Sequence, residues 1–438
     1  MNYIFWKVLN NKTKLALKFI LLLGIVSLFG DITYEGARSI TGPYLAFLGA
    51  SATVVGLIAG LGEFFGYALR MFFGYLSDRT KSYWVMTICG YALLFSIPLL
   101  AFSGHWQVAA FLVVLERMGK AIRSPARDTI LSHATKSVGR GWGFGIHEAL
   151  DQVGAIIGPL IFLLVFMFKG SYRLGFSILW IPAGLTLAIL ILARIKVPSP
   201  SKFEDSDAEK QEKQSEIEKE EEKEREDRRE REDRREREKE ERIKGTGKKE
   251  KLTGEKLPKV FWFYTFFTFL AVAGFSSFQL ISYHFKINSI MSDSQIPLFY
   301  AIAMGVDAIV ALVIGKTYDR IGMKLLLIIP LLTIPIPLLA FSYSYWLGVT
   351  AAILWGAVLG IHETIMRAAI ADMTSVERRG FAYGVFNTVY GLSWLFGGVV
   401  MGMLYEVSIS YLIIFAMGIE IISLFVILFV TSRAKTIL

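Results

Sequence analysis

The stretch FFGYLSDRTKSYW at residues 72–84 places Asp78, Arg79 and Lys81 between two long apolar runs. A second stretch of the same kind, GKTYDRIGMK at residues 315–324, again separates two apolar runs. A short charged turn between long apolar segments is typical of neighbouring helices that cross a membrane in opposite directions. The recurrence of this turn indicates that the chain is built from two related halves.

The composition places the chain among polytopic, all-α membrane proteins. Hydrophobic residues make up 54% of its 438 residues, so a soluble protein of this size would have too little polar surface. About 20 apolar residues cross a bilayer core of about 30 Å as a helix. The runs are continuous rather than alternating, which argues against strands. Twelve spans are predicted, near residues 19–47, 53–76, 83–103, 107–129, 141–168, 173–195, 259–285, 295–315, 323–342, 346–372, 381–405 and 409–431.

A hydrophilic segment divides these spans six and six. We therefore predict an N-terminal six-helix bundle at 1–195, a charged linker at 196–258 and a C-terminal six-helix bundle at 259–438. The linker contains EREDRREREDRREREKEE at 224–241, in which opposite charges spaced i,i+4 favour a solvated helix. A tether is the simple interpretation, and a regulatory or partner-binding segment is the alternative.

The distribution of lysine and arginine predicts the orientation. These residues flank the spans mostly on one side, which the positive-inside rule assigns to the cytoplasm. Both termini and the linker would then face the cytoplasm of a multi-pass cell-membrane protein. Residues 1–18 are polar and basic and the first apolar run is long enough to span, which favours a retained helix over a cleaved signal peptide.

The two charged turns resemble the loop signature of the major facilitator superfamily, Gly-x-Leu-[Ser/Ala]-Asp-Arg-x-x-x-[Lys/Arg]. The matching residues are Gly74, Leu76, Ser77, Asp78, Arg79 and Lys81 in the first copy, and Gly315, Asp319, Arg320, Gly322 and Lys324 in the second. The resemblance implies a twelve-helix fold of two six-helix halves and a secondary transporter that works by alternating access. It also implies that Asp78 meets the start of the eleventh span, near Gly380, in the outward-facing state only. Asp128, in ERMGKAIRSPARD of the fourth span, is grouped with these gating residues.

The fifth predicted span resembles the antiporter signature of drug-exporting members of that superfamily. The matching residues are Gly145, Gly154, Gly158 and Pro159. The signature's closing glycine pair is absent, because Phe162 and Leu163 stand at those positions. Glycines at this spacing also give a smooth face for ordinary helix packing, which is the alternative interpretation. The resemblance favours export of solute in exchange for protons.

Ionisable residues inside spans are costly and therefore mark candidate functional positions. In the first span the spacing i, i+3, i+4, i+7 places four of them on one helix face: Asp31, Tyr34, Glu35 and Arg38. The other predicted members of a proton-coupling and substrate cavity are Glu63, Lys120, Arg123, Glu148, Asp151 and Gln279.

We assign Asp31 and Glu35 as the first candidates for protonation, with Glu148 and Asp151 behind them. Arg38 and Arg123 are predicted to bind solute or to supply counter-charge. For each residue, a structural ion pair is the alternative. The second half, which is rich in aromatic residues, is predicted to line an amphipathic cavity, although most of these aromatic residues are expected to pack in the interior or to face lipid.

Other chemistries find little support in the sequence. The His-Glu pairs at 147–148 and 362–363 lack the second histidine of a zinc protease helix, and no phosphate-binding Gly-x-x-x-x-Gly-Lys-[Ser/Thr] loop is present. We therefore predict no enzyme activity, no metal and no cofactor. The partners expected are a small organic solute, protons and membrane lipid, without nucleic acid, and the chain is expected to act as a monomer. Import of an anionic metabolite, drawn by Arg38, Lys120 and Arg123, and a non-transporting membrane sensor are the alternatives to proton-coupled efflux.

Overall fold

The computed structural model describes residues 11–136, 138–200, 203, 257–374 and 378–434. Within these ranges the ordered elements are helices, and no strand occurs. The charged repeat of the predicted linker lies outside the described residues. The predicted all-α fold class is therefore confirmed.

Six helical segments form the first half of the described chain. They are α1 Asn11–Phe47, α2 Ala52–Thr80, α3 Tyr83–Phe102, α4 Trp106–Thr135, α5 Arg140–Met167 and α6 Tyr172–Lys196. Two of them are not regular α-helices throughout. The α3 segment contains tight 3-10 turns at Leu93–Phe95 and Leu100–Phe102, and α6 changes direction at Leu179.

Six further segments form the second half. They are α7 Lys259–Ile287, α8 Gln295–Ile321, α9 322–340, α10 Tyr345–Met373, α11 Arg379–Val407 and α12 Ile409–Ala434. The α7 segment is broken between Ala273 and Phe278, and Ser277 caps its second part by accepting a hydrogen bond from the Leu280 backbone. We call α1–α6 the N half and α7–α12 the C half.

The helix lengths are consistent with twelve membrane spans. Ten stretches of the described chain are long and apolar enough to cross a membrane, and one of them, Gln295–Ala340, has 46 residues. A single helix of that length would measure about 69 Å, more than twice a bilayer core of about 30 Å. Gly322, with φ +67° and ψ −152°, ends α8 and reverses the chain into α9. Because that stretch covers both α8 and α9, the ten stretches account for eleven segments. The twelfth segment, α4, contains too many charged residues to be counted among the apolar stretches.

The chain crosses the bundle alternately, so the molecule has two sides. The terminal side carries the start of α1, the end of α12 and the turn at 80–83, whereas the far side carries the turns at 47–52 and 407–409. On the far side, the halves meet where α1 packs on α7 and α2 packs on α11. The approach is so close that a β-carbon on Gly56 would lie 2.0 Å from the carbonyl oxygen of Gly398. Glycine is required at this crossing because any side chain would separate the helices.

Candidate functional site

A polar cavity of about 490 Å³ lies between the two halves. It extends from Asp31 and Glu35, in the middle of α1, to Asp128, Phe144 and Gly145, near the terminal side. Phe144 and Gly145 are exposed, which places the mouth of the cavity on this side. The lining contains seven carboxylate and six lysine or arginine side chains, so the space suits a charged or strongly polar solute.

The structure brings seven of the ten predicted cavity residues to this lining. They are Asp31, Glu35, Arg38, Lys120, Arg123, Glu148 and Asp151. Tyr34, Glu63 and Gln279 lie outside it. Gln279 is buried in α7 beside α1, where its carbonyl oxygen would be 2.0 Å from a β-carbon on Gly42. Gln279 therefore belongs to the far-side contact between the halves.

Glu63 lies below the cavity surface in a buried ionic cluster. Its Oε1 accepts a hydrogen bond of 2.9 Å from Nη2 of Arg38 and a second one from Nη2 of Arg117. Arg117 also covers the ring of Tyr34, at 4.4 Å from the ring centroid, and Lys120 lies at the same distance from that ring. A carboxylate between two guanidinium groups compensates charges that would be costly if left alone in the interior. This cluster joins α1, α2 and α4 and so supports the cavity from beneath.

Arg123 is held by its own helix. Its Nη2 donates to Oε1 of Glu116 at 2.9 Å, and both side chains are almost fully buried. The guanidinium carbon also lies 4.9 Å from the ring centroid of Tyr91 on α3. Of the two roles predicted for Arg123, this geometry fits counter-charge, because Glu116 already engages the guanidinium group.

Two hydrogen bonds between the halves involve carboxylates of the cavity. Oη of Tyr300, on α8, donates to Oε2 of Glu35 at 2.5 Å, while Oε1 of Glu35 lies 3.6 Å from Nη1 of Arg38. Nearby, Nε2 of Gln152, on α5, donates to Oδ2 of Asp307, on α8, at 3.3 Å. Any change in the charge of these carboxylates would therefore act directly on the contact between the N half and the C half.

Several charged groups of the lining have no ionic partner. Among the described residues, no ion pair is formed by Asp31, Lys120, Glu148, Glu363 and Arg367. Within the described ranges, Arg70 donates a hydrogen bond from Nε alone, to the carbonyl oxygen of Gly66 at 2.8 Å. Asp151 faces His147, with Oδ2 at 3.6 Å from Nδ1, and its other oxygen is buried without a hydrogen bond. These groups are available to a solute.

In the described structure, Asp78 of the first charged turn forms no hydrogen bond with α11. Asp78 is exposed and accepts a hydrogen bond of 3.3 Å from Oη of Tyr83. Gly380 has no neighbour within 4 Å of the place where a β-carbon would stand. The contact expected for the outward-facing state is thus absent here. The neighbouring residues Arg79 and Lys81 are also exposed, while Gly74 packs near Pro125.

The charged residues of the second turn are exposed like those of the first, but this turn is hydrogen-bonded to a neighbouring helix through Tyr318. Its residues Asp319, Arg320 and Lys324 are exposed, and Gly315 packs beside Thr364. Tyr318, which departs from the first copy, donates from Oη to Oδ2 of Asp372 on α10 at 2.7 Å. Asp128, grouped with the gating residues, accepts two hydrogen bonds from its neighbour Arg127, at 2.8 and 3.0 Å.

The glycines of the predicted antiporter motif have separate surroundings. Gly154 and Gly158 lie against α1, and Gly158 meets Gly36 so closely that a β-carbon on Gly36 would be 3.0 Å from the Gly158 carbonyl oxygen. Gly145 instead lines the cavity. Pro159 lies inside α5, which continues as a helix to Met167.

The far side is closed by polar contacts between the halves. Nζ of Lys286 lies 2.6 and 2.7 Å from the two carboxylate oxygens of Asp293, which also accepts from Oη of Tyr172, on α6, at 3.2 Å. A second contact joins the backbone N–H of Thr53 to Oε1 of Glu406 at 2.9 Å. The cavity is therefore open to the terminal side and shut from the far side.

Sequence reasoning missed three residues, which are Arg70, Glu420 and Tyr300. Arg70 and Glu420 are single charges in apolar runs, a signal that could have identified both. Glu420, fully buried in α12, accepts from Oγ of Ser423 at 3.0 Å, and its Oε1 has no partner in the described structure. Tyr300 carried no such signal, because nothing in its local sequence indicates a carboxylate partner on α1.

The aromatic residues of the C half do not form the amphipathic wall that the sequence predicted. The aromatic residues that line the cavity are Tyr67, Tyr91 and Phe144, all from the N half. In the C half, Phe275 packs on Trp355 and on Trp394, each with ring centroids 5.6 Å apart. These rings fill the interior because aromatic edge-to-face and offset packing gains more from other rings than from a polar cavity.

Two helical halves around a charged cavity that opens on one side only are the architecture of a multi-pass membrane carrier. The sequence profile of the Major Facilitator Superfamily matches residues 21–334 and again 261–437. The chain belongs to this superfamily of transporters, as its charged turns predicted.

Two relatives match nearly the whole chain, and a third matches about a third of it. An uncharacterized protein of Mycobacterium tuberculosis (strain H37Rv) is 38% identical over 411 residues, covering 93% of this chain and 92% of the relative. An uncharacterized MFS-type transporter of Methanocaldococcus jannaschii is 27% identical over 437 residues, covering 96% and 97%. The class H tetracycline resistance protein of Pasteurella multocida is 26% identical over 136 residues, covering 30% and 34%.

Solved structures resemble the fold at low sequence identity. The nucleoside transporter NupG superposes with a TM-score of 0.64 at 13% identity, covering 94% of this chain and 99% of that one. A POT family transporter superposes with a TM-score of 0.68 at 14% identity, covering 95% and 96%. At such identities the likeness concerns the fold alone.

Proposed function

We propose that this protein is a secondary transporter that exports a small organic solute in exchange for protons by alternating access. It would act as a monomer in the lipid of the cell membrane, with the terminal side facing the cytoplasm. The observation that carries the proposal is the pair of cavity carboxylates on α1. Among the described residues Asp31 forms no ion pair within 4.0 Å, whereas Glu35 is hydrogen-bonded to the C half through Tyr300.

We infer that the carboxylate of Asp31 allows solute to be exchanged for protons. A negative charge in a cavity between helices is unfavourable unless something neutralises it. Either a proton or a cationic group of the solute can neutralise Asp31, and the two exclude each other. A carrier whose cavity must be neutralised by one or the other before it changes state exchanges solute for protons.

The carboxylate of Glu35 would couple protonation to the relative movement of the two halves. Ionised Glu35 attracts Arg38 and accepts a hydrogen bond from the hydroxyl group of Tyr300 across the halves. A hydrogen bond to a charged group contributes about 1.5–3 kcal/mol, so loss of the charge weakens this tie by a comparable amount. Protonation from the far side would then bias the halves toward a different relative position.

Two features support export rather than import. The glycine pattern of α5, at Gly145, Gly154 and Gly158, is the one that resembles drug antiporters. The tetracycline resistance protein of Pasteurella multocida matches about a third of the chain, and export is one way by which a cell resists a compound. Import of an anionic metabolite is the second candidate, which the unpaired Lys120 and Arg367 favour.

Proteoliposomes with an imposed pH gradient test the proposal. A dye inside the vesicles reports pH while amphipathic cations, organic anions, zwitterions and sugars are added in turn. We expect compound-dependent proton movement in the wild type and its loss in Glu35→Gln. Glu420→Gln is the matched control, since it also converts a buried carboxylate to an amide but outside the cavity.

The outcome also distinguishes the candidates. Unchanged proton movement in Glu35→Gln would refute the coupling assigned to this residue. Solute that moves together with protons, rather than against them, would favour import. If no solute moves while a partner still binds the full chain, the sensor hypothesis would gain support.

A further inference from the structure

We propose that the transported solute is a small zwitterion, with an ammonium group and a carboxylate or phosphate group in one molecule. This inference rests on the proposed function, because it takes the cavity between the halves as the transport site. It differs from the amphipathic solute that an aromatic wall would have suited. The argument depends on which charges of the cavity remain unpaired.

The positive pole of the cavity consists of Lys120, Arg70 and Arg367. All three line the cavity, and none forms an ion pair within the described part of the chain. Lys120 lies over the Tyr34 ring and Arg70 over the Tyr67 ring at 4.6 Å, so aromatic faces orient both cations. Contact with an aromatic face leaves N–H donors free for a carboxylate or phosphate.

The negative pole consists of carboxylates from both halves. Asp31 and Glu148 come from the N half and Glu363 from the C half, and none of these three has an ionic partner among the described residues. Asp307, on α8 in the C half, adds a buried carboxylate to this pole, because it is 2% exposed and lines the cavity. Gln152 satisfies one of its oxygens, while Oδ1 is buried without a hydrogen bond.

The two poles share one cavity, and within the described part of the chain none of their opposite charges approach to ion-pair distance, although Asp31 attracts Lys120 and Glu363 attracts Arg367 over a longer range. Each unpaired charge is partly desolvated, which is costly unless an opposite charge approaches it. A lipophilic cation would satisfy the carboxylates and leave Lys120 and Arg367 unpaired. A simple anion would do the reverse. A zwitterion satisfies both poles at once, and it bridges the halves, since each pole has members from both of them.

The volume and lining agree with this class of solute. A cavity of about 490 Å³ is in the lower part of the range for small-molecule sites, about 300–1,000 Å³. Its apolar lining is limited to a few side chains, among them Met304, Leu359 and Ala155. A molecule of dipeptide size or less, with little apolar surface, fits these conditions.

Equilibrium binding to the purified full chain in lipid nanodiscs tests the inference without any pH gradient. The probes are γ-aminobutyrate, glycylglycine and phosphoethanolamine. Each probe is compared with one cationic and one anionic analogue. Butylamine and butyrate are the analogues of γ-aminobutyrate, and glycylglycinamide and N-acetylglycylglycine are those of glycylglycine. Ethylamine and ethyl phosphate are the analogues of phosphoethanolamine. We expect at least one zwitterion to bind about tenfold more tightly than both of its analogues, as one more charged hydrogen bond provides.

Two variants should show separately what the positive pole and the negative pole contribute to binding. Lys120→Met should remove the advantage of the zwitterion over its cationic analogue, while the cation itself still binds. Glu363→Gln should remove the advantage over the anionic analogue instead. Lys316→Met is the matched control for loss of a lysine, since Lys316 is exposed on α8 outside the cavity.

Clear results would overturn the inference. One is that no zwitterion of the panel binds better than its analogues. Another is that tetraphenylphosphonium, a lipophilic cation, binds more tightly than every zwitterion. Proton movement driven by that cation would refute the substrate class and leave the proposed export standing. Zwitterion binding with no accompanying proton movement would refute the coupling and leave the substrate class standing.

Discussion

Neutralising Glu63 should strongly destabilise the folded N half. Glu63 is 6% exposed, and one of its oxygens accepts hydrogen bonds from Arg38 and Arg117. Glu63→Gln keeps the shape of the side chain but leaves two guanidinium groups without their shared counter-charge. Removing one partner of a buried ion pair costs about 3–5 kcal/mol, and about 2 °C of Tm is lost per kcal/mol in a large domain. We therefore expect the Tm to fall by about 6–10 °C.

The assay is thermal unfolding of the purified protein in detergent, followed by tryptophan fluorescence. Glu148→Gln is the control, because it removes a carboxylate that is exposed and forms no ion pair with any residue that the structure describes. It should change stability by no more than about 0.5 kcal/mol. The double variant Glu63→Gln with Arg117→Gln should recover part of the loss, since it removes one uncompensated charge.

Two outcomes would refute this reasoning. If Glu63→Gln unfolds at the wild-type temperature, then the cluster does not stabilise the N half. If the double variant is less stable by the sum of the two single changes, then Glu63 and Arg117 act independently and the pairing has no energetic consequence.

Three further predictions concern movement and exchange. Tyr300→Phe should keep solute affinity but reduce proton-coupled exchange by about tenfold, because it removes one hydrogen bond to a charge across the halves; equal loss of binding and exchange would contradict it. Asp293→Asn should open the far side, since it removes the counter-charge of Lys286 and weakens the bond from Tyr172, and spin-label distances between the far ends of α1 and α7 should lengthen. Solute affinity should fall as pH is lowered, because protons and the solute's cationic group compete for Asp31. In Asp31→Asn this pH dependence should flatten, as titration calorimetry at several pH values would measure, and an unchanged profile would assign the competition to another carboxylate.

The structure also gives the direction of the next conformational step. The far side is closed by Asp293 and by the glycine crossing of α2 on α11, whereas Asp78 at the terminal side is exposed and accepts a hydrogen bond from its neighbour Tyr83. We expect that in the opposite state Asp78 meets the exposed start of α11, near Gly380, as the resemblance of its turn to the superfamily signature implies. A helix N-terminus presents unpaired backbone N–H groups, which favour a carboxylate. An engineered disulfide between α2 and α11 at this level would trap that state and should abolish solute binding from the terminal side.

The sequence by itself determined the fold class, the repeated turns and the charged face of α1. These are local properties, because the length of an apolar run sets a span and the spacing i, i+3, i+4, i+7 sets a helix face. The positions of Asp31, Glu35 and Arg38 at the cavity follow from that spacing. The helix edges were less well predicted, since several helices continue beyond the apolar run into charged turns, as α2 does to Thr80.

Only the tertiary structure decided which charges pair and which remain free. Glu63 lies beneath the cavity and Gln279 lies in the far-side contact, although both looked like cavity residues in the sequence. The partner of Glu35 is Tyr300, which is 265 residues away. Pairing over such separations depends on how each helix is rotated and how far it is shifted along its neighbours. Those quantities are set by close packing, such as Gly36 against Gly158, and no single helix encodes them.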